Sequence, residues 1–427
     1  MSGASYEGPA ATFAPMPRIS ARARDAYRSP IRELEDQAQA AKDRGVRVLH
    51  LNIGQPDLPT PPEARAALRD YDDEVLAYGP ARGLDSYRAA LVRYYATWDV
   101  DLRVEDVNVT VGASEAIWLA INAIADPGDE VIVPEPFYAL YNGFLQLCEA
   151  EVLPVTSTLD EAFALPPPEA LEAVATPRTR AILLCNPSNP TGQVYERPEL
   201  EAIGAIAERH DLYVIVDEVY REFVYDGVAF TSALAIPSLR ERAVVIDSVS
   251  KRFSACGARI GSVACRDRAL MTAITRLGRF RLCPPTIGQL ISERLLGIPD
   301  DYLAGALAEY DRRRHTLYEG LRAIPGVRCY LPRGAFYCFA ELPVDDADDF
   351  ARWLLDDFAH EGATVMLAPG SGFYSTPGRG KREVRIAYVL NETDLRTALR
   401  CLRFALRAYP GAVKPERLVN PSTVDWT

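Results

Sequence analysis

Short apolar, β-branched runs alternate with longer segments of helical spacing through the middle of this chain, and no other feature constrains its fold as strongly. VNVTVG (107–112) precedes SEAIWLAINAIA, whose apolar residues recur at helical intervals. DEVIVPEP (129–136) precedes the helix-like FYALYNGFLQLC, and EVLPV follows it. TRAILLCNP (179–187) precedes PELEAIGAIAERHD, then LYVIVDE (212–218), AVVIDS (243–248) and GSVACR (261–266). Continuous apolar strands separated by helices predict an α/β fold, with a mostly parallel sheet covered by helices on both faces. Ligands of such sheets sit beyond the carboxyl ends of the strands, which is where the distinctive polar residues of this chain fall.

From about Leu317 the texture changes to a mixed helix-and-strand pattern, seen in AFYCFAEL, DDFARWLLDDFAHEG, EVRIAYV and TDLRTALRCLRFALRAY. A chain of 427 residues is long for one core. The expected division is a flexible tail over 1–27 and a segment over 28–60 that joins the smaller unit. A large domain over 61–316, a small α+β domain over 317–410 and a second tail over 411–427 complete it. No internal repeat or low-complexity tract interrupts the pattern.

Composition narrows the function classes. A net charge of −12 argues against nucleic acid and against an acidic membrane as partners. No apolar run approaches the roughly 18 residues of a spanning helix. MSGASYEGPAATFAPMP lacks the basic start and apolar stretch of a secretory signal. Eight cysteines lie scattered without a CxxC pair, which reads as free thiols in a cytoplasmic protein. Four histidines in unrelated contexts leave little from which to build a metal site or a His-based triad.

Four strand ends carry candidate chemistry. Gly112-Ala113-Ser114 opens a helix, where small residues let backbone N–H groups approach a phosphate, although the same triplet is a common strand-to-helix turn. NPSNPTG (186–192) is a rigid turn that presents the amide of Asn189. Asp217 ends a buried strand, a costly place for a carboxylate unless it meets a cation or a strong donor; Glu218 and Tyr220 follow it. Ser248, Lys251 and Arg259 follow AVVI in the stretch DSVSKRFSACGARIG. A lone strand-end lysine is usually solvated. Together these four sites are the parts that hold pyridoxal phosphate, with Lys251 forming an imine and Asp217 keeping the pyridine nitrogen protonated.

The chain resembles the class I/II, fold type I pyridoxal-phosphate aminotransferases, in particular those like aspartate aminotransferase, over roughly residues 28 to 410. NIGQPDLPTPPE, YGPARGLDSYR, VGASEAI, PEPFYALY, NPSNPTG, VDEVY, SVSKRFSACGARIG and VRIAYV carry the resemblance, all in the family's order. It implies a large domain with a mostly parallel sheet sandwiched by helices, plus a smaller α+β domain. Lys251 matches the Schiff-base lysine that also moves the substrate proton, and Asp217 the partner of the pyridine nitrogen. Tyr220 and Asn189 match partners of the ring hydroxyl, and Tyr138 the aromatic residue stacked on the ring. Ala113, Ser114, Ser248 and Arg259 match phosphate contacts. Tyr78 matches a tyrosine that reaches the phosphate from the neighbouring subunit, which implies a homodimer with shared active sites. Arg385 matches the arginine that grips the substrate α-carboxylate, and Gly54 the backbone position beside it.

The implied reaction moves the amino group of an L-amino acid to a 2-oxo acid such as 2-oxoglutarate. For an acidic donor, aspartate or glutamate, Arg281 is the candidate cation for the distal carboxylate, with a solvated helix face as its alternative. Ser114 argues the other way, because some aspartate-specific members carry lysine there. A decarboxylase, lyase or amino-acid oxidase of the same fold would keep the same residues. A non-catalytic ligand-binding module would need a DNA-binding extension, which the sequence does not provide. Gly370-Ser371-Gly372 and Gly380-Lys381 imitate nucleotide loops but lack the third glycine and the Ser or Thr those loops require.

Overall fold

The structure, a computed structural model, describes residues 17–413. The first part of the expected N-terminal tail, 1–16, and residues 414–427 of the expected C-terminal tail lie outside the described residues. Strand β1 is Arg47–His50, β2 Val107–Thr110, β3 Glu130–Glu135 and β4 Glu151–Thr156. Next come β5 Thr179–Cys185, β6 Tyr213–Asp217, β7 Ala243–Ser248 and β8 Gly261–Ala264. The last four are β9 Tyr337–Glu341, β10 Ala363–Met366, β11 Ala368–Pro369 and β12 Glu383–Ala387.

Seven strands form one sheet in the order β2-β8-β7-β6-β5-β3-β4. Strands β3 to β7 pair in parallel; β3, β5, β6 and β7 are almost wholly buried, while the edge strand β4 is only partly so. Helices bury their apolar stripes on both faces, Gly112–Ile124 in one cluster and Arg197–His210 in the other. The fold is α/β with a mostly parallel sheet. One strand departs from the parallel pattern: β8 runs antiparallel to both β7 and β2, with Ser248 opposite Gly261 and Thr110 opposite Gly261. Residues 249–260 hold only a one-turn helix and a 3₁₀ turn, too little for a crossover, so the chain doubles back. That return turn carries Lys251.

The strand ends meet in register. Cys185 lies opposite Asp217, and the Asn186 amide donates to the Asp217 carbonyl at 2.9 Å. Beyond the large sheet, β9 and β12 pair antiparallel with β11 on the other edge of β12, while β1 pairs in parallel with β10. Helix Glu35–Asp43 packs on helix Ala347–Asp356 through Ala38, Ala41, Ala351 and Leu355. The expected boundary at Leu317 falls within the unbroken helix Asp301–Arg322. A single apolar cluster continues past it, from Ile117 through Tyr310 and Phe336 to Leu402. Among the described residues no helix is long and apolar enough to cross a membrane.

Candidate active site

The strand ends, the turn Ile53–Gln55 and the segment Ser29–Arg32 line a cavity of about 320 Å³. Lys251 projects into it from the helix Val249–Arg252, whose first turn is capped by Ser248. The Lys251 Nζ donates to the carbonyl of Gly54 at 2.8 Å and lies 6.0 Å from the Tyr220 ring centre. Gly54 has no room for a side chain, since a Cβ there would fall 1.9 Å from the Tyr337 hydroxyl.

Asp217 is 4% exposed. Burial pushes its carboxyl up to about 6, against the opposing pull of the Tyr141 hydroxyl at 3.1 Å and the Val219 amide at 3.3 Å. A protonated ring nitrogen in the cavity would return it to the charged form. Tyr220 shares a 2.7 Å hydrogen bond with Tyr337, and both hydroxyls face the cavity beside Tyr138.

Arg385 on β12 is 1% exposed. Its Nη1 donates to Asn189 Oδ1 at 3.0 Å, its Nη2 donates to the Asn52 carbonyl, and its guanidinium stacks over Tyr337. Its Nε is buried without a hydrogen-bond partner among the described residues, so a donor remains for an incoming oxygen.

Ala113, Ser114, Ser248 and Arg259 line the remaining wall at the N-terminus of helix Gly112–Ile124. Val111 gives this helix no side-chain cap, so the positive end of a 13-residue helix faces the cavity. Arg259 holds a left-handed backbone (φ 54°) and lies against Gly112. A Cβ on Gly112 would come 2.5 Å from Arg259 Nη2, and its own φ of 73° also favours glycine. A donor-rich helix start beside a guanidinium, a buried carboxylate and a primary amine fit the phosphate, ring nitrogen and aldehyde of pyridoxal phosphate.

A charged network lies beneath the lysine turn. Arg252 is fully buried; its Nη2 donates to both oxygens of Asp247 at 2.9 Å and its Nε to Glu222 at 2.6 Å. Arg221 lies 3.7 Å from Asp247 and 3.2 Å from Glu218. Burial opposes ionisation of Asp247, but Arg221 and Arg252 hold it below its ordinary range. Glu218, with burial pushing it up to about 7, also accepts from Ser232 and from the Ala233 amide.

Two expected site residues are not in this cavity. Tyr78 is 81% exposed, on the loop before helix Asp85–Ala96. Arg281 is committed within its own chain: Nε donates to Glu115, Nη1 to the Ala81 carbonyl and Nη2 to the Val109 carbonyl, at 2.8–3.1 Å. Three contributors escape the sequence reading. Tyr141 sits on the first turn of helix Leu140–Leu147, three residues after Tyr138, and that nearness in the chain could have revealed it. Tyr337 and Arg32 carry no local signal, because only the tertiary fold brings them to the site.

The arrangement is that of an enzyme which holds a phosphorylated aldehyde cofactor between the strand ends of a fold type I sheet. The description "aminotransferase class I and II" matches residues 46–402. The chain is 31% identical over 389 residues to an aspartate aminotransferase of Rhizobium meliloti, covering 87% of this chain and 92% of that one. It superposes on the aspartate aminotransferase of Thermus thermophilus with maleate at a TM-score of 0.82 and 30% identity, over 91% of this chain and 99% of that one. For an alanine aminotransferase of Pyrococcus furiosus the TM-score is 0.83, also at 30% identity, over 91% and 100%. The chain belongs to the class I and II aminotransferase family and is a pyridoxal-phosphate-dependent aminotransferase.

Proposed function

We propose that this cavity exchanges the amino group of an L-amino acid with a 2-oxo acid, aspartate or glutamate being the donor and 2-oxoglutarate the acceptor, with Lys251 as the working base. The observation that carries the reading is convergence: the Lys251 amine, the Asp217 carboxylate and the Arg385 guanidinium reach one cavity from three separate elements. Pyridoxal phosphate, when bound, supplies an aldehyde for the lysine amine and a pyridine ring that withdraws electrons. Ala113, Ser114, Ser248 and Arg259 bind the phosphate, and Tyr138 covers the ring. Asp217 holds a proton at the pyridine nitrogen, while Tyr220 and Asn189 orient the ring hydroxyl. Arg385 grips the substrate α-carboxylate beside Gly54 and thereby aims the Cα–H bond at Lys251 Nζ, which removes that proton. Tyr78 completes the phosphate site of a second copy in a cytoplasmic homodimer.

Holding Lys251 constant and adding amino acid alone tests the reaction. Stoichiometric conversion of the cofactor to its amine form is expected, without oxygen uptake or carbon dioxide release; either of those marks an oxidase or a decarboxylase instead. K251A is expected to lose the covalent cofactor linkage, read by absorbance and mass, together with turnover. Retained turnover in K251A sinks the assignment.

A further inference from the structure

The relatives name different donors, so the side-chain subsite of this chain has to be read from its own residues. Four cations line the cavity: Arg32, Lys251, Arg259 and Arg385. Under the proposed reaction, Lys251 works on the cofactor and the Cα proton, Arg259 on the phosphate and Arg385 on the α-carboxylate. Arg32 has no assignment. Arg281, expected from sequence to meet a distal carboxylate, is tied to Glu115 and two backbone carbonyls.

Arg32 is placed on the substrate side by a short relay. The Ile31 carbonyl accepts from Asn52 Nδ2 at 2.7 Å, and the Asn52 carbonyl accepts from Arg385. The segment carrying it is docked rather than loose. The Tyr27 hydroxyl donates to the Gly372 carbonyl at 2.6 Å, and Pro30 packs so closely on Gly372 that a Cβ there would lie 2.3 Å from Pro30 Cγ. Arg32 Nη1 donates to Glu35 at 2.7 Å, with side chains 66% and 51% exposed. An exposed, same-segment pair of this kind contributes little and exchanges readily for a better acceptor. Among the described residues that line the cavity, Arg32 finds no carboxylate except Asp217, which belongs to the ring nitrogen.

We propose that Arg32 is the specificity-determining residue for a dicarboxylic substrate, receiving its side-chain carboxylate while Arg385 holds the α-carboxylate. A planar guanidinium on an exposed segment can leave Glu35 and form a paired contact with the substrate. This inference rests on the aminotransferase reading of the same cavity.

The test is equilibrium binding of succinate and propionate to the holoenzyme by calorimetry, since neither acid carries an amino group to react. Wild-type protein is expected to prefer succinate strongly. R32Q should collapse the succinate-to-propionate affinity ratio by about 10- to 100-fold, the range of a lost charge-assisted contact, and R32K should recover part of it. E35Q removes the internal competitor and should tighten succinate by about two- to fivefold, an effect that a merely structural arginine would not produce. A wild-type ratio near one, an unchanged ratio in R32Q, or equal weakening of both acids overturns the proposal. If the cofactor is still converted by amino acids in any of those cases, the aminotransferase reading stands and only the role of Arg32 falls. A wild-type holoenzyme that converts its cofactor with no amino acid and binds neither acid overturns both.

Discussion

The chemistry of the site turns on how single residues are desolvated. Asp217 accepts one hydroxyl and one amide, and in the cofactor-free protein burial outweighs both, moving its carboxyl from 3.8 to about 6. The folded value lies above the unfolded one, so the native state binds the extra proton between them. Stability from this group is therefore full below about pH 4 and is lost as pH rises through about 6, about 3 kcal/mol in all. D217N, which cannot ionise, is expected to flatten that part of the apoprotein stability curve, measured by urea midpoints from pH 4 to 7. Glu218 and Glu383, both pushed up to about 7 by burial, keep a slope of the same sign in the variant. An identical pH profile for D217N and the parent would show that Asp217 is not desolvated. Tyr337 shows a different dependence: its hydroxyl meets Tyr220, its ring lies under Arg385, and both contacts need Gly54 to lack a side chain.

At the scale of elements, the four-residue helix that carries Lys251 is too short to hold itself. Its position is fixed from below by Arg252, Asp247, Glu222 and Arg221, all at or near zero exposure. Removing one member strands the opposite charge in a dry environment. R252A is accordingly expected to destabilise the protein by about 3–5 kcal/mol, seen as a lower urea midpoint. A loss below about 1 kcal/mol, the level of an exposed pair, would show that the network does not support the turn. The antiparallel return of β8 belongs to the same element, because it brings Gly261 against Gly112 and Ala113. A Cβ on Gly261 would lie 2.5 Å from the Gly112 carbonyl carbon. Lysine turn and phosphate-facing helix start are thus locked together by backbone contact.

The whole molecule presents an apolar surface that a single copy leaves in solvent. Val75, Leu76 and Tyr78 on one loop and Phe280 and Leu282 on the turn after helix Arg268–Gly278 are exposed, Phe280 by 86%. A second copy covering this surface is the proposed homodimer, with Tyr78 reaching across. Subunit exchange tests it. Homodimers of K251A and of Y78A should each be nearly inactive. Their randomly reassociated mixture should regain about a quarter of wild-type activity, because half the dimers are hybrids with one intact site of two. No recovery on mixing would show that Tyr78 serves no neighbouring site.

The alternation of strands and helices is legible in the order of residues alone. That order also placed Gly112, Asn189, Asp217 and Lys251 at the ends of four strands, because apolar runs and the polar residues that interrupt them are local in the chain. Local pattern reaches no further. The direction of β8 depends on a turn that doubles back, and Tyr337 and Arg32 approach Lys251 across more than 80 residues of chain, through packing that no short-range period encodes. The fate of Arg281 was decided in the same way. A cation with a vacant guanidinium and one saturated by Glu115 and two carbonyls look alike in sequence, and only the folded chain supplies the partners that separate them.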